Sequence, residues 1–201
     1  CIRAMRICNA CSSCIGFPMQ EEHALHIRSL GRKFAIPYLF EIFGPEFDYM
    51  KVRSRRMELM AEHIRQYGLE KKPGLEELLS FLQKNRIPAA VTTATDRLRA
   101  EGYLQQTGLL QYFSGIICAA MVENGKPAPD IYLFAAQRLG LKPQECMALE
   151  DSPNGIRAAS SAGCVTVMVP DLTEPDDEVI PLIYTSVETL ADVPNIIKQL
   201  S

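Results

Sequence analysis

Hydrophobic residues recur at helical spacing through the first third of the chain, with charged residues between them. The residues that set this pattern are Phe47, Met50, Met57, Met60, Ile64 and Tyr67. Intervals of three, four and seven residues place side chains on one face of a helix. We therefore expect helices, and no strand, from Cys1 to about Gly68.

The pattern changes at Lys71-Lys72-Pro73-Gly74, a sequence typical of a turn. An amphipathic helix follows, and its apolar face is formed by Leu75, Leu78, Leu79 and Leu82. We place a domain boundary at this turn. Residues 1–70 are then a helical domain, and residues 71–201 form a second domain.

Short apolar strand candidates alternate with helical stretches in the second domain. The strand candidates are Pro88 to Thr92, Gly115 to Ala119, Cys146 to Leu149, Cys164 to Val169 and Leu182 to Thr185. The helical stretches lie around 96–107, 130–140, 154–162 and 187–199. Such alternation is typical of an α/β fold in which helices cover both faces of a parallel sheet.

Composition excludes several classes of partner. The chain has 201 residues, 47% of them hydrophobic, with a net charge of -3 and a pI near 5.7. An acidic protein has no electrostatic reason to bind nucleic acid or an anionic membrane, and no apolar run is long enough to cross a bilayer. We expect a cytoplasmic monomer that binds a small molecule.

The seven cysteines favour a reducing compartment over a disulfide framework. Cys8, Cys11 and Cys14 stand three residues apart, a spacing that zinc or an iron–sulfur cluster could use together with His23 or His26. The same spacing also places thiols along one buried stripe of a helix, and we favour that interpretation.

Polar residues follow three of the strand candidates, where ligands collect in an open parallel sheet. The first candidate runs into Thr92-Thr93-Ala94-Thr95. Its hydroxyls and backbone N–H groups could bind a phosphate oxygen. Threonine also commonly ends strands and caps helices, and this feature taken alone favours that structural role.

The second strand candidate is followed by Gly125-Lys126-Pro127-Ala128-Pro129-Asp130. Two prolines stiffen the backbone around Lys126, and Pro129 is suited to open a helix. A lysine held in this way can neutralise a phosphate or a group of carboxylates. A solvated loop lysine is the alternative.

The third strand candidate ends in Glu150-Asp151, followed by Ser152-Pro153-Asn154-Gly155. Adjacent carboxylates repel each other unless a cation or hydrogen-bond donors meet them. Magnesium is commonly held by one or two such carboxylates, water and a substrate phosphate. The alternative is that Asp151 or Ser152 only caps a helix that begins near Pro153.

Taken together, the runs from Lys126 to Asp130 and from Glu150 to Gly155 resemble the haloacid dehalogenase superfamily. The similarity is to the beta-phosphoglucomutase-like branch, whose members carry a helical cap, and it covers nearly the whole chain. It implies a three-layer Rossmann-like core with a parallel sheet, a helical cap domain, and a magnesium-dependent phosphatase that acts on a small phosphorylated metabolite such as a sugar phosphate.

The resemblance also implies roles for individual residues. Thr93 and Ala94 would bind the phosphoryl group, and Lys126 would steady the phosphate and the nucleophile. Glu150 and Asp151 would hold Mg²⁺ directly or through water, with Ser152 a weaker candidate. On the cap, Arg32 would meet the substrate.

The chain departs from the family in one respect. Family members begin with a strand that carries two aspartates with one other residue between them. No such pair is present between Cys1 and Ser201. We expect that strand, with the nucleophilic aspartate, to lie upstream of Cys1. A phosphomutase and a non-catalytic phosphate-binding protein are the alternatives to a phosphatase.

Overall fold

The computed structural model describes residues 16–200. Two compact units divide between Leu69 and Glu70. The predicted cysteine stripe at Cys8, Cys11 and Cys14 lies outside the described residues. Within 16–200, no helix is both long enough and apolar enough to cross a bilayer.

The described part of the first unit, residues 16–69, contains helices and no strand. The helices are α1 (Glu21–His26), α2 (Arg32–Phe43) and α3 (Tyr49–Tyr67). Asp48 caps α3 by accepting a hydrogen bond from the backbone N–H of Lys51 at 2.9 Å. Phe47 lies at the centre of the unit, with its ring 5.1 Å from Phe17 and 5.2 Å from Phe43.

The second unit, from Glu70 onward, alternates strands and helices as the sequence predicts. The strands are β1 (Ala90–Thr93), β2 (Gly115–Cys118), β3 (Met147–Glu150), β4 (Val165–Met168) and β5 (Thr185–Ser186). The helices are α4 (Leu75–Lys84), α5 (Arg97–Gln106), α6 (Asp130–Leu139), α7 (Pro153–Ala162) and α8 (Val193–Leu200).

All strand pairs of the second unit are parallel, and they form two sheets. β1 pairs with β2, from Ala90 opposite Gly115 to Thr93 opposite Cys118. β4 lies between β3 and β5 in the other sheet, and Glu150 at the end of β3 is opposite Met168. No strand pairing joins β1 to β3 within residues 16–200.

One hydrophobic core nevertheless connects the two sheets. It includes Ile117 of β2, Ile131 of α6, Ala148 of β3 and Ala158 of α7. Helix α6 packs on β1 and β2, α7 packs on β3 and β4, and the two helices pack on each other. The carboxyl ends of β1 and β3 are therefore brought to the same region of the molecule.

The sequence prediction is wrong at the last strand. Residues Ile180–Leu182 form a 3₁₀ turn, and the strand is reduced to Thr185–Ser186. Pro181 lies inside that turn and lacks the N–H group that a sheet would use. The last helix is also shorter than expected, because it begins at Val193 rather than near residue 187.

Candidate functional site

Lys126 and Glu150 form a buried ion pair at the ends of two strands. Lys126 lies in the loop after β2, and its ammonium donates to Oε1 of Glu150, the last residue of β3. The two residues are only 6% and 7% exposed. Burial of either charge alone would be costly, so each requires the other. The alternative of a solvated loop lysine is wrong.

Tyr132 of α6 completes the environment of this carboxylate. Its hydroxyl donates to the same Oε1 of Glu150, and the Lys126 ammonium lies 5.2 Å from the centre of its ring. Burial, followed by the nearby Glu150 charge, raises the pKa of Tyr132 well above its usual value of 10.0, while a side-chain hydrogen bond with Thr92 opposes that rise. The phenol therefore stays protonated and remains a donor at neutral pH.

The N-terminus of α7 holds the other oxygen of Glu150. Ser152 is fully buried and its hydroxyl donates to Oε2 at 3.4 Å. The same Ser152 oxygen accepts from the backbone N–H of Gly155 at 3.2 Å, so Ser152 is the N-cap of α7. A Cβ atom at Gly155 would overlap Oε2, so only glycine leaves room for the carboxylate.

Thr93 is the last residue of β1, and Asp151 is the first residue after β3. Thr93 Oγ1 accepts from the backbone N–H of Thr95 at 3.0 Å, which orders the turn containing Ala94. That bond uses an oxygen lone pair and does not consume the hydroxyl proton. Asp151 directly follows Glu150 and is half-buried.

The cluster suits an anion only when a cation is present. Two carboxylates and one ammonium leave a net negative charge, which would repel a phosphate group. Within residues 16–200, no three His, Cys, Asp or Glu side chains are grouped as a metal cage. Mg²⁺ needs no such cage, because one or two carboxylate oxygens with water and a phosphate complete its shell. The donor set at Glu150 and Asp151 fits this ion.

Sequence reasoning missed Tyr132. It occupies a buried position of α6 beside Ile131, Ala135 and Ala136, where the pattern predicts only a core residue. The available signal was chemical, because a buried tyrosine hydroxyl usually requires a polar partner. Arg32, the predicted cap residue, is the first residue of α2 and is exposed.

Comparisons with known proteins identify relatives. The profile of haloacid dehalogenase-like hydrolases matches residues 45–163. A phosphorylated carbohydrates phosphatase of Thermotoga maritima is 31% identical over 148 residues, covering 74% of this chain and 68% of that protein. A probable pseudouridine-5'-phosphatase of Drosophila melanogaster is 45% identical over 105 residues, covering 49% of this chain and 46% of that protein. The chain thus spans about half the length of the fly protein.

Solved structures agree on the fold. A hydrolase from Pseudomonas syringae is similar with a TM-score of 0.85 at 18% identity, covering 100% of this chain and 92% of that one. The beta-phosphoglucomutase of Clostridium difficile is similar with a TM-score of 0.78 at 20% identity, covering 98% and 89%. The Rossmann-like α/β fold predicted from the sequence is confirmed.

Proposed function

Because this chain belongs to the haloacid dehalogenase-like hydrolase family, we propose that the whole protein is a phosphatase of small phosphorylated carbohydrates. The relatives at 31% and 45% identity are named for phosphatase activity on a phosphorylated carbohydrate and a phosphorylated nucleoside. The observation that carries the proposal is the buried Lys126–Glu150 pair at the strand ends, with Asp151 next to it.

Each residue of the site has a proposed role in binding the phosphoryl group. The Thr93 hydroxyl and the backbone N–H of Ala94 would donate to phosphoryl oxygens. The Lys126 ammonium would offset the negative charge that spreads over those oxygens during transfer. The carboxylate of Glu150 accepts a hydrogen bond from this ammonium and holds it in place.

We propose Mg²⁺ as the cofactor, held by Asp151 and, directly or through water, by Glu150. The ion would supply positive charge beside the transferring group. Both Glu150 oxygens already accept protein donors, so water-mediated binding by Glu150 suits the contacts better than a direct bond. Asp151, which directly follows Glu150 in the chain, is proposed as a second ligand.

The nucleophile is proposed to be an aspartate upstream of Cys1, on a strand between β1 and β3. β1 has a described strand partner only in β2, and β3 only in β4, although one core joins both sheets. The aspartate would attack phosphorus as the P–O bond to the alcohol breaks, and the second aspartate of the upstream pair would give its proton to the leaving alcohol. The same second aspartate would then take a proton from water, which would attack the aspartyl phosphate and release inorganic phosphate.

The first unit is proposed to act as the cap domain, and the second as the catalytic core. Arg32, with Lys33 beside it at the start of α2, offers positive charge for the polar part of a substrate. The monomeric state and the cytoplasmic location stay predictions. A phosphomutase would use the same core residues and is the alternative.

Phosphate release separates these activities. The full-length protein, with its upstream segment, is incubated with Mg²⁺ and fructose 1-phosphate, pseudouridine 5'-phosphate or glucose 1-phosphate. A phosphatase releases inorganic phosphate, and Lys126→Met lowers that rate by about a hundredfold or more, as expected for a transition-state charge contact. Interconversion of glucose phosphates without phosphate release would instead identify a phosphomutase. The absence of both activities would contradict the enzymatic proposal.

A further inference from the structure

The hydroxyl of Tyr132 is a buried polar group that the proposed reaction does not use directly. Tyr132 is 7% exposed, and its helix packs against both β1 and β2. A phenylalanine would fill the same space without the cost of burying a hydroxyl. The hydroxyl therefore calls for an explanation beyond packing.

Neutralising the Glu150 charge does not require Tyr132. The Lys126 ammonium already neutralises that carboxylate, and Ser152 supplies a second donor. The phenol instead helps to fix the orientation of the Glu150 carboxylate. Its donation to Oε1 means that donors from the loop after β2, from α6 and from the start of α7 hold one carboxylate. Three donors on separate segments fix its orientation more tightly than an ion pair alone.

The ring and the hydroxyl act on the same two charges. The Lys126 ammonium lies 5.2 Å from the ring centre, while the hydroxyl holds the oxygen that this ammonium contacts. A rotation of the Glu150 carboxylate would carry the Lys126 ammonium with it, because the two charges are buried and cannot separate without loss.

We propose that Tyr132 is a positioning residue, which orients Glu150 and through it sets where the Lys126 ammonium meets a bound phosphate. The inference rests on the proposed function, because it assumes that Lys126 binds phosphate. It assigns no proton transfer and no direct substrate contact to Tyr132.

A double-mutant cycle on phosphate affinity tests this role. The full-length protein is titrated with inorganic phosphate in the presence of Mg²⁺, as wild type, Tyr132→Phe, Glu150→Gln and the double variant. Loss of a hydrogen bond to a charged group corresponds to roughly a tenfold effect, so Tyr132→Phe should weaken phosphate binding by about tenfold. In the Glu150→Gln background the same change should have less than about a twofold effect, because its target is already altered.

A spectroscopic measurement tests whether Tyr132 affects the position of Lys126, and it does not need the Glu150 variant. The ¹³Cε resonance of Lys126, assigned by its loss in Lys126→Met, should shift in Tyr132→Phe, which keeps the ring and removes only the hydroxyl. Tyr184→Phe removes an exposed hydroxyl from the same unit and should change neither this resonance nor phosphate affinity.

The outcomes distinguish the inference from the function on which it rests. A wild-type protein that binds no phosphate overturns the proposed function and this inference with it. Wild-type phosphate binding that Tyr132→Phe leaves unchanged overturns the inference alone. An equal loss in both backgrounds, or an unshifted Lys126 resonance in Tyr132→Phe, also overturns it, since Tyr132 would then not act through Glu150.

Discussion

At the scale of the residue, the site is defined by burial of charge. Apart from Tyr132 with its phenol hydroxyl, the buried polar or charged side chains described within residues 16–200 are Lys126, Glu150, Ser152 and Thr166. Three of these four belong to the cluster at the end of β3. A folded protein rarely buries a lysine and a glutamate unless they are paired, so this pair is the clearest functional feature of the chain.

Burial also changes the pKa of a cysteine thiol in the second unit. Burial raises the pKa of Cys164 to about 11, and the neighbouring Cys146 adds to the shift. At pH 8 roughly one thiol in a thousand would be the reactive thiolate. We expect iodoacetamide to leave Cys164 unmodified in the native protein at pH 8, and to modify it as the pH approaches 11 or after unfolding in urea. Rapid native labelling at pH 8, seen by peptide mass spectrometry, would contradict this.

Single residues also mark what the sequence could predict. Lys126, Glu150 and Asp151 stand in dense polar runs directly after apolar strands, so strand-end reasoning could select them. Tyr132 could not be selected in the same way, because its partner lies 18 residues away along the chain and the contact depends on how α6 packs.

At the scale of the element, α7 begins where the site requires it. Pro153 is the first residue of the helix, Ser152 caps it, and the backbone at Gly155 lies against the Glu150 carboxylate. The sequence predicted a helix that begins near Pro153 and left Asp151 and Ser152 open as its cap, and the structure shows that Ser152 caps it. The sequence could not predict that Gly155, besides lying in the helix, leaves the space that the Glu150 carboxylate occupies.

A pair of glycine substitutions separates these two roles. Gly102 lies within α5, and no neighbouring atom lies within 4 Å of the position that an alanine Cβ would take, so Gly102→Ala should raise the free energy of unfolding by about 0.5–1 kcal/mol. Gly155→Ala should instead lower it by about 1–3 kcal/mol, because the methyl group would displace a carboxylate held by three donors. Urea denaturation measures both.

The sign of the change in the free energy of unfolding in Gly155→Ala shows whether the carboxylate lies against this glycine. Helix propensity alone predicts stabilisation at both positions. If Gly155→Ala also stabilised the protein, the Glu150 carboxylate would have to lie elsewhere. Phosphate affinity should fall in Gly155→Ala and stay unchanged in Gly102→Ala.

At the scale of the whole molecule, the α/β alternation after Glu70 was predictable from apolar runs and turns. The short last strand was not, because Thr185–Ser186 pairs with only two residues of β4 and depends on the sheet already present. The division into two sheets could not be predicted from the hydrophobic periodicity of the sequence either. It depends on which strands hydrogen-bond, and β1 and β3 each keep one side without a described strand partner.

The most direct test of the account is thermal unfolding with and without Mg²⁺ and inorganic phosphate. Ligands at a hundred times their dissociation constant should add about 2.7 kcal/mol, which corresponds to a rise in Tm of roughly 5–10 °C for a chain of this size. Asp151→Asn should abolish most of the rise, and Asp177→Asn, an exposed change in the loop after β4, should keep it. An unchanged Tm in the wild type, or a full rise in Asp151→Asn, would contradict a magnesium and phosphate site at the end of β3.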